Sequence, residues 1–346
     1  MHIELFVLAV AGLAALILAW AFRALPREEW QILAAIPRRK QAEGWVGVNL
    51  TYYGALAASG YAIGLAFFLL LCGAVGWPVE MAIGVLASVL GLCVPASKWI
   101  ARLVEGKKHT FTIGGATFLG FLILPVAVLI AERFFLPALP FGSTVLPGVA
   151  AGTIAYVFGE AIGRLACISF GCCYGKPLPD DAPSWMRRLA MRFQGRTKKI
   201  SYASGLEGVP VIPVQALGSV FLMSLALLSV WLFLHSGFAA ALGVALIGSQ
   251  AWRFGSEFLR ADERGGGRLT AYQRMSLGMA VAGGVLCFLP IGSAPFGADL
   301  GSGLEALWNP AVILFLQLVW MVVFLFMGWS QVTGSTLSFH VHEDRV

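Results

Sequence analysis

Four charged residues in a strongly apolar chain fall into two pairs with one spacing, Glu160 with Arg164 and Arg253 with Glu257. Residues four apart stack on one face of a helix. Both pairs stand near the end of an apolar stretch, where charge is costly in lipid and lines a site. Two guanidiniums in one pocket suit a phosphate, because the planar fork of Arg meets phosphate oxygens two at a time. Ion pairing between helices is the purely structural alternative. Glu257, or Glu160 with a pKa raised by desolvation, is a candidate base. The Gly/Cys-rich loop after the first pair adds a candidate nucleophile: a thiolate beside arginines has a lowered pKa, so Cys172 could attack a lipid directly. A tight turn packed by small residues is the competing reading of Cys172 and Cys173. With Cys167 at a distance and no His nearby, these cysteines make a poor metal site. No metal and no cofactor is expected.

The elements that position these residues are membrane helices. The chain has 346 residues, of which 58% are hydrophobic and 12% charged. Its mean hydropathy is +0.81, which excludes a soluble class. A spanning helix needs ~20 mostly apolar residues. Nine stretches qualify, roughly 3–23, 52–74, 79–98, 113–132, 146–166, 213–235, 238–258, 272–291 and 309–329. Backbone polar groups in lipid must be satisfied internally, so these predict helices and an all-α, polytopic fold. The first stretch lacks a basic leader and a small-residue cleavage site, so it is expected to be a retained helix. Cys72, Cys93 and Cys287 lie within spans as small hydrophobes, and the six cysteines show no disulfide framework.

The connecting segments carry most of the charge. Residues 23–50 mix Trp30, Ile32, Leu33 and Ile36 with charges, which predicts an amphipathic segment at the interface. Tyr52 and Tyr53 suit headgroup depth at the start of the second span. Thr110 to Gly120 holds small residues, including Gly114 and Gly115, at a spacing for close helix packing. His109 is a solvated residue or, less simply, a functional one. The extramembrane insertion, 167–212, contains Ser184 to Gln194, which reads as a basic amphipathic helix with Ser184 as N-cap. There Trp185, Met186, Leu189 and Phe193 would dip into the interface, with Arg187, Arg188, Arg192, Arg196, Lys198 and Lys199 against anionic lipid. Gly265-Gly266-Gly267 is a flexible turn able to act as a gate. With nine alternating spans, every Lys and Arg except Arg133, Arg164 and Arg253 falls on one side. The positive-inside rule makes that side cytoplasmic. The same distribution argues against nucleic acid as a partner and for an anionic membrane surface.

Residues 163–175 read G-R-L-A-C-I-S-F-G-C-C-Y-G. This resembles, without a gap, the signature G-R-L-G-N-F-x-N-G-E-x-W-G of the bacterial prolipoprotein diacylglyceryl transferase family. Arg253, Glu257 and Phe258-Leu259-Arg260-Ala261-Asp262 are similar to a later family element with Arg and Glu four apart followed by F-F-R-x-x-D. Tyr53-Gly54 resembles its W-Y-G, Gly114-Gly115 its F-H-G-G, and Ile212-Pro213-Val214-Gln215-Ala216-Leu217 its H-P-x-Q-L-Y. The resemblance covers about residues 45–291. It implies a seven-helix transferase core over 46–291, an added helix and interfacial segment over 1–45, and an added helix and tail over 292–346. Departures are as specific as the matches. The family's motif Asn is Cys167, its Glu is Cys172, its two His are Ile113 and Ile212, and its Tyr-Glu is Leu217-Gly218.

The resemblance implies transfer of diacylglyceryl from phosphatidylglycerol to a lipoprotein cysteine, with glycerol phosphate released, on the periplasmic face of the bacterial inner membrane. The resulting expectation is a diverged transferase that uses an anionic phospholipid and an acceptor still to be named. Arg164, Arg253, Glu257, Glu160 and Cys172 are its candidate catalytic residues, and Tyr53, Gly114, Gly115, Cys167 and Gln215 line the substrate. A homologue that only binds lipid, or a subunit of a membrane complex, is the non-enzymatic alternative. Intramembrane charges also permit transport, but no internal repeat or pair of broken helices accompanies them.

Overall fold

A computed structural model describes residues 2–29, 31–42, 44–105, 113–262, 269–288 and 297–346. The elements are, in order, α1 (Ile3–Ala24), β1 (Ile32–Gln41), β2 (Gly44–Thr51), α2 (Tyr52–Ala74), α3 (Val79–Glu105), α4 (Ile113–Phe135), α5 (Val145–Phe170), α6 (Ser184–Leu189), α7 (Lys199–Ser204), α8 (Val214–Leu234), α9 (Phe238–Ser256), α10 (Ala271–Phe288), α11 (Leu300–Leu307), α12 (Pro310–Gly328) and β3 (Trp329–Leu337). Each of the nine apolar stretches is helical within the described residues. Of these helices, α1, α2, α4, α5, α8 and α12 contain segments long and apolar enough to cross a membrane, and α3 has a shorter apolar part, Val79–Cys93. The molecule is a polytopic helical membrane protein.

Helix α5 is its axis. In α5, 72% of the most apolar window is buried, against 17% in α1 and 11% in α12, which leaves the two terminal spans to face lipid. It packs against α2, α4, α8 and α9. Small residues set how close α2 comes. A Cβ on Gly64 would stand 2.6 Å from the Ala155 carbonyl oxygen, and one on Gly60 would stand 2.9 Å from that of Gly159. Gly60 and Gly64 on α2 thus meet Ala155, Gly159 and Gly163 on α5 by backbone contact, a packing mode that only small residues permit. Phe67 and Phe158 stack one level away, with centroids 3.9 Å apart. The start of α5 is held by the buried Glu132 of α4. Its carboxylate accepts from the backbone N–H groups of Gly142 (2.6 Å) and Thr144 (2.8 Å) and from the Thr144 hydroxyl (2.6 Å). Three donors are what a buried carboxylate requires.

The segment expected to lie as an amphipathic piece at the interface is instead a β-hairpin. β1 and β2 pair antiparallel, and β3 joins the other edge of β2 after α12 returns the chain to the same end. Asn49 of β2 secures that return, donating to Thr333 Oγ1 (3.4 Å) and accepting from the Ser335 hydroxyl. The pattern of apolar and charged residues fitted either structure. β1 pairs with the neighbouring β2, and the second partner of β2, β3, comes from some 285 residues away, invisible to local periodicity. Gly54 and Gly328 let α12 lie on α2, since a Cβ on Gly54 would be 2.1 Å from the Gly328 Cα. Trp320 adds a hydrogen bond from Nε1 to Ser59 Oγ at 3.2 Å.

The insertion also differs from expectation. Its helix α6 ends at Leu189, and Ser184 is its first residue, with Pro183 at the cap position. Beyond it Met191 pairs with Val211, and Met191 and Phe193 are buried rather than dipped into the interface, while Trp185 and Leu189 stay exposed. The extra backbone pairing available in a folded head outcompetes about one and a half further helical turns. Arg187 donates to the carbonyls of Asp180 and Ala182, and Arg192 to that of Gly208, so these guanidiniums brace loops. Lys198, expected at the lipid surface, is fully buried. Its Nζ donates to Leu25 O (3.0 Å) and Ser169 O (2.7 Å), tying the ends of α1 and α5 together. Trp30, Lys107, Lys108, His109, Glu263, Arg264 and the Gly265–Gly267 turn lie outside the described residues.

Candidate active site at the end of α5

Three successive turns of α5 present Tyr156, Glu160 and Arg164. Glu160 Oε1 accepts from Arg164 Nη2 and its Oε2 from the Tyr156 hydroxyl. That hydroxyl in turn accepts from Arg253 Nη1 of α9 at 3.0 Å and shares a hydrogen bond with Thr117 of α4. One continuous network therefore joins Glu160, Arg164 and Arg253. The link is Tyr156, which the sequence reading passed over. The i, i+4, i+8 series Tyr156-Glu160-Arg164 was the signal that could have found it. Both Glu160 oxygens are occupied, so this residue is a fixed counter-ion and not a free base. Arg164 Nε is buried and has no hydrogen-bond partner among the described residues.

Glu257 caps the helix of Arg253 in a helical conformation (φ −60°, ψ −29°) and lies within electrostatic reach of that arginine. α9 stops at Ser256, and Glu257 opens a 3-10 turn through Leu259. Its Oε1 lies 3.8 Å from Arg260 Nη1, and Arg260 also grips Asp262 with two hydrogen bonds of 2.8 and 2.6 Å. Arg260 is thus a further cation of the site, buried and paired.

The loop after α5 closes over this end of the molecule. Gly171 takes the left-handed conformation (φ 67°) that terminates helices, and Cys173 (φ 58°) does the same without being glycine. Such a conformation costs ~1–3 kcal/mol and persists only where the surroundings hold it. Here Gln215 Nε2 donates to the Cys172 carbonyl at 2.8 Å. The chain then pairs with the end of α9, through Lys176 N to Leu259 O (2.9 Å) and Ala261 N to Tyr174 O (3.1 Å). Gly175 sits where a Cβ would be 2.3 Å from Ile212 O. Cys167, Cys172 and Cys173 converge in this turn. The Cys172 thiol is pushed well above its ordinary pKa by hydrogen bonds with the Cys167 and Cys173 sulfurs and by burial. That reverses the expected low-pKa thiolate: neighbouring thiols outweigh the arginines.

Tyr53, at the start of α2, packs edge-on against Phe170 with centroids 5.8 Å apart and lies within electrostatic reach of the same cysteines. Gly114 and Gly115 open α4, one turn before Thr117, and Gly115 is buried. Gln215 opens α8 with its Oε1 buried and unpartnered among the described residues. The structure thus brings Arg164, Arg253, Glu160, Cys167, Cys172, Tyr53 and Gln215 to one end of the bundle, with Glu257 on the adjoining turn.

A family model for prolipoprotein diacylglyceryl transferase matches residues 45–289. The chain belongs to this family. No curated protein matches the chain. Membership in the prolipoprotein diacylglyceryl transferase family makes this a membrane protein of a transferase type that, in general, joins a lipid donor to a lipoprotein acceptor in lipoprotein biosynthesis. The matched segment starts in β2 and ends with α10, so α1 and β1 precede it and α11, α12 and β3 follow it. Those flanks are stitched to the family segment through the shared sheet and Lys198.

Proposed function

We propose that this chain is a diacylglyceryl-transferase-type enzyme whose donor is an anionic phospholipid, phosphatidylglycerol, with the phosphate held between Arg164 and Arg253. The observation that carries this reading is the unpartnered Arg164 Nε beside a second guanidinium in one network. A buried donor left unpaired costs ~1–3 kcal/mol, and a phosphate oxygen is the acceptor that would relieve it. In this reading Arg164 and Arg253 take up the charge that grows on the leaving glycerol phosphate. Glu160 and Tyr156 hold the two guanidiniums in place. Glu257 is the base for the acceptor, and Tyr53, Gly114, Gly115, Cys167 and Gln215 line the lipid. Cys172, protonated in its present surroundings, acts as lining more readily than as nucleophile. We place the protein in the bacterial cytoplasmic membrane with its basic face inward.

A test incubates purified protein with labelled phosphatidylglycerol and membrane extract, and follows glycerol phosphate release and the fate of the label. Arg164→Ala is expected to lower release ~10²–10³-fold, as losing one donor to a developing oxyanion does elsewhere. Cys172→Ala is expected to keep it, and label trapped on wild type but not on that variant would reinstate a covalent route. The labelled product names the acceptor. No release, with lipid still bound stoichiometrically, would overturn the enzymatic reading. A second reading, lipid binding without turnover, would then stand, favoured by Cys167, Cys172, Ile113 and Ile212 at the family's polar positions.

A further inference from the structure

Three thiols to which the proposed transfer gives no bond-making role meet at the end of α5. The sulfur atoms of Cys167, Cys172 and Cys173 all lie within 4.8 Å of one another as reduced thiols. Sulfurs sharing a metal at ~2.3 Å stand roughly 4 Å apart in a trigonal arrangement, so small side-chain shifts suffice. The spacing argued against a metal because two of the cysteines are adjacent and the third is five residues back. The turn removes that objection. The Cys172 N–H returns to the Cys167 carbonyl at 3.0 Å, and the left-handed Cys173 swings its sulfur back toward α5. Gln215 pins the Cys172 carbonyl from α8.

We propose that Cys167, Cys172 and Cys173 form a three-thiolate site for a soft monovalent metal ion, Cu(I). Among the described residues the donor group contains no imidazole and no carboxylate. Three soft sulfurs exclude the hard cations, and a structural zinc site would need a fourth ligand. Loading releases three protons and leaves the metal as Cu(I), so no electron is transferred. Three thiolates around a monovalent ion carry two negative charges. Arg164, whose field reaches Cys167 and Cys173, and Arg260, whose field reaches Cys173, offset them. Cys167 is buried, while Cys172 and Cys173 are half-buried and give an ion a way in.

The test uses the full-length protein in detergent, reduced and anaerobic, equilibrated with Cu(I) against bathocuproine disulfonate as competitor. Copper per chain and thiolate-to-copper absorption in the ultraviolet are read. One Cu(I) per chain is expected, held at least tenfold more tightly than by Cys167→Ser, Cys172→Ser or Cys173→Ser. Cys287→Ser, far from the cluster, should behave as wild type. Equal retention by wild type and the three cluster variants would overturn the proposal, and so would stoichiometric zinc in place of copper in a parallel titration. Should a cluster variant fail to elute as a folded protein, wild type and Cys287→Ser still decide, because less than stoichiometric copper on both refutes the site. Copper is read directly, so the result is independent of the phospholipid reading.

Discussion

Lys198 shows how much a single residue settles. Burial drives its pKa down to about 8, with Glu28 opposing. Between that value and the ordinary ~10.4 the unfolded chain holds a proton that the folded chain does not, so stability rises with pH across this window and is flat below it. The neutral amine still has two donors for its two carbonyl partners. The melting temperature of the detergent-solubilised protein is therefore expected to climb from pH 8 to pH 10 relative to Lys198→Met, which lacks the proton. At pH 7 the substitution leaves the Leu25 and Ser169 carbonyls unpaired, a cost of ~1–3 kcal/mol offset by the buried charge it removes. A difference between the two proteins that does not change with pH would refute the assignment. Tyr156 is the other decisive residue, since its hydroxyl links Glu160 to Arg253 by hydrogen bonds. Tyr156→Phe is expected to lower glycerol phosphate release about tenfold while the fold persists, measured beside Arg253→Ala in the same assay.

At the level of elements, the site depends on how near α2 comes to α5. Because the Gly64 Cβ position is 2.6 Å from a backbone oxygen, Gly64→Ile forces the two helices apart by an ångström or more. Tyr53 and Phe170 sit at the far end of the same helix pair, so separation opens the lipid-lining edge. The expected outcome is loss of monodisperse protein on size exclusion, or a melting temperature lowered by several degrees. Gly163→Ala serves as control, since a Cβ there meets nothing within 4 Å. Equal behaviour of the two variants would contradict this account. The hairpin and β3 make a second such unit, holding the chain's first and last spans to the family core.

For the whole molecule, the open matter is which way it sits. The C-terminal end of α5, the N-terminal ends of α2 and α8, the sheet and the insertion all occupy one end, so the basic residues and the site share a face. The proposed orientation, which follows the positive-inside rule, turns that face to the cytoplasm. A fluorescent protein fused after Val346 is therefore expected to fluoresce in cells, and alkaline phosphatase fused there to stay inactive. The opposite pair of results would turn the site to the periplasm, the side implied by resemblance to the family.

Much of this could be read in the chain. Nine apolar stretches specify helices because lipid leaves the backbone no other way to satisfy itself, whatever the neighbours are. The carboxylate and guanidinium four residues apart on α5 follow from helical geometry alone. The family signature over 163–175 marked the turn where the candidate site lies. Tertiary structure decided the rest, through contacts between residues far apart in sequence. β1 and β2 pair with each other, and β3, from the other end of the chain, completes their sheet on the far edge of β2. Lys198 was buried because two carbonyls, at Leu25 and Ser169, converge on its amine. Glu257 gained Arg260 as a second cation because α9 passes into a 3-10 turn at Ser256. The three sulfurs meet because Gly171 and Cys173 both turn left-handed, a backbone choice that composition and periodicity do not encode.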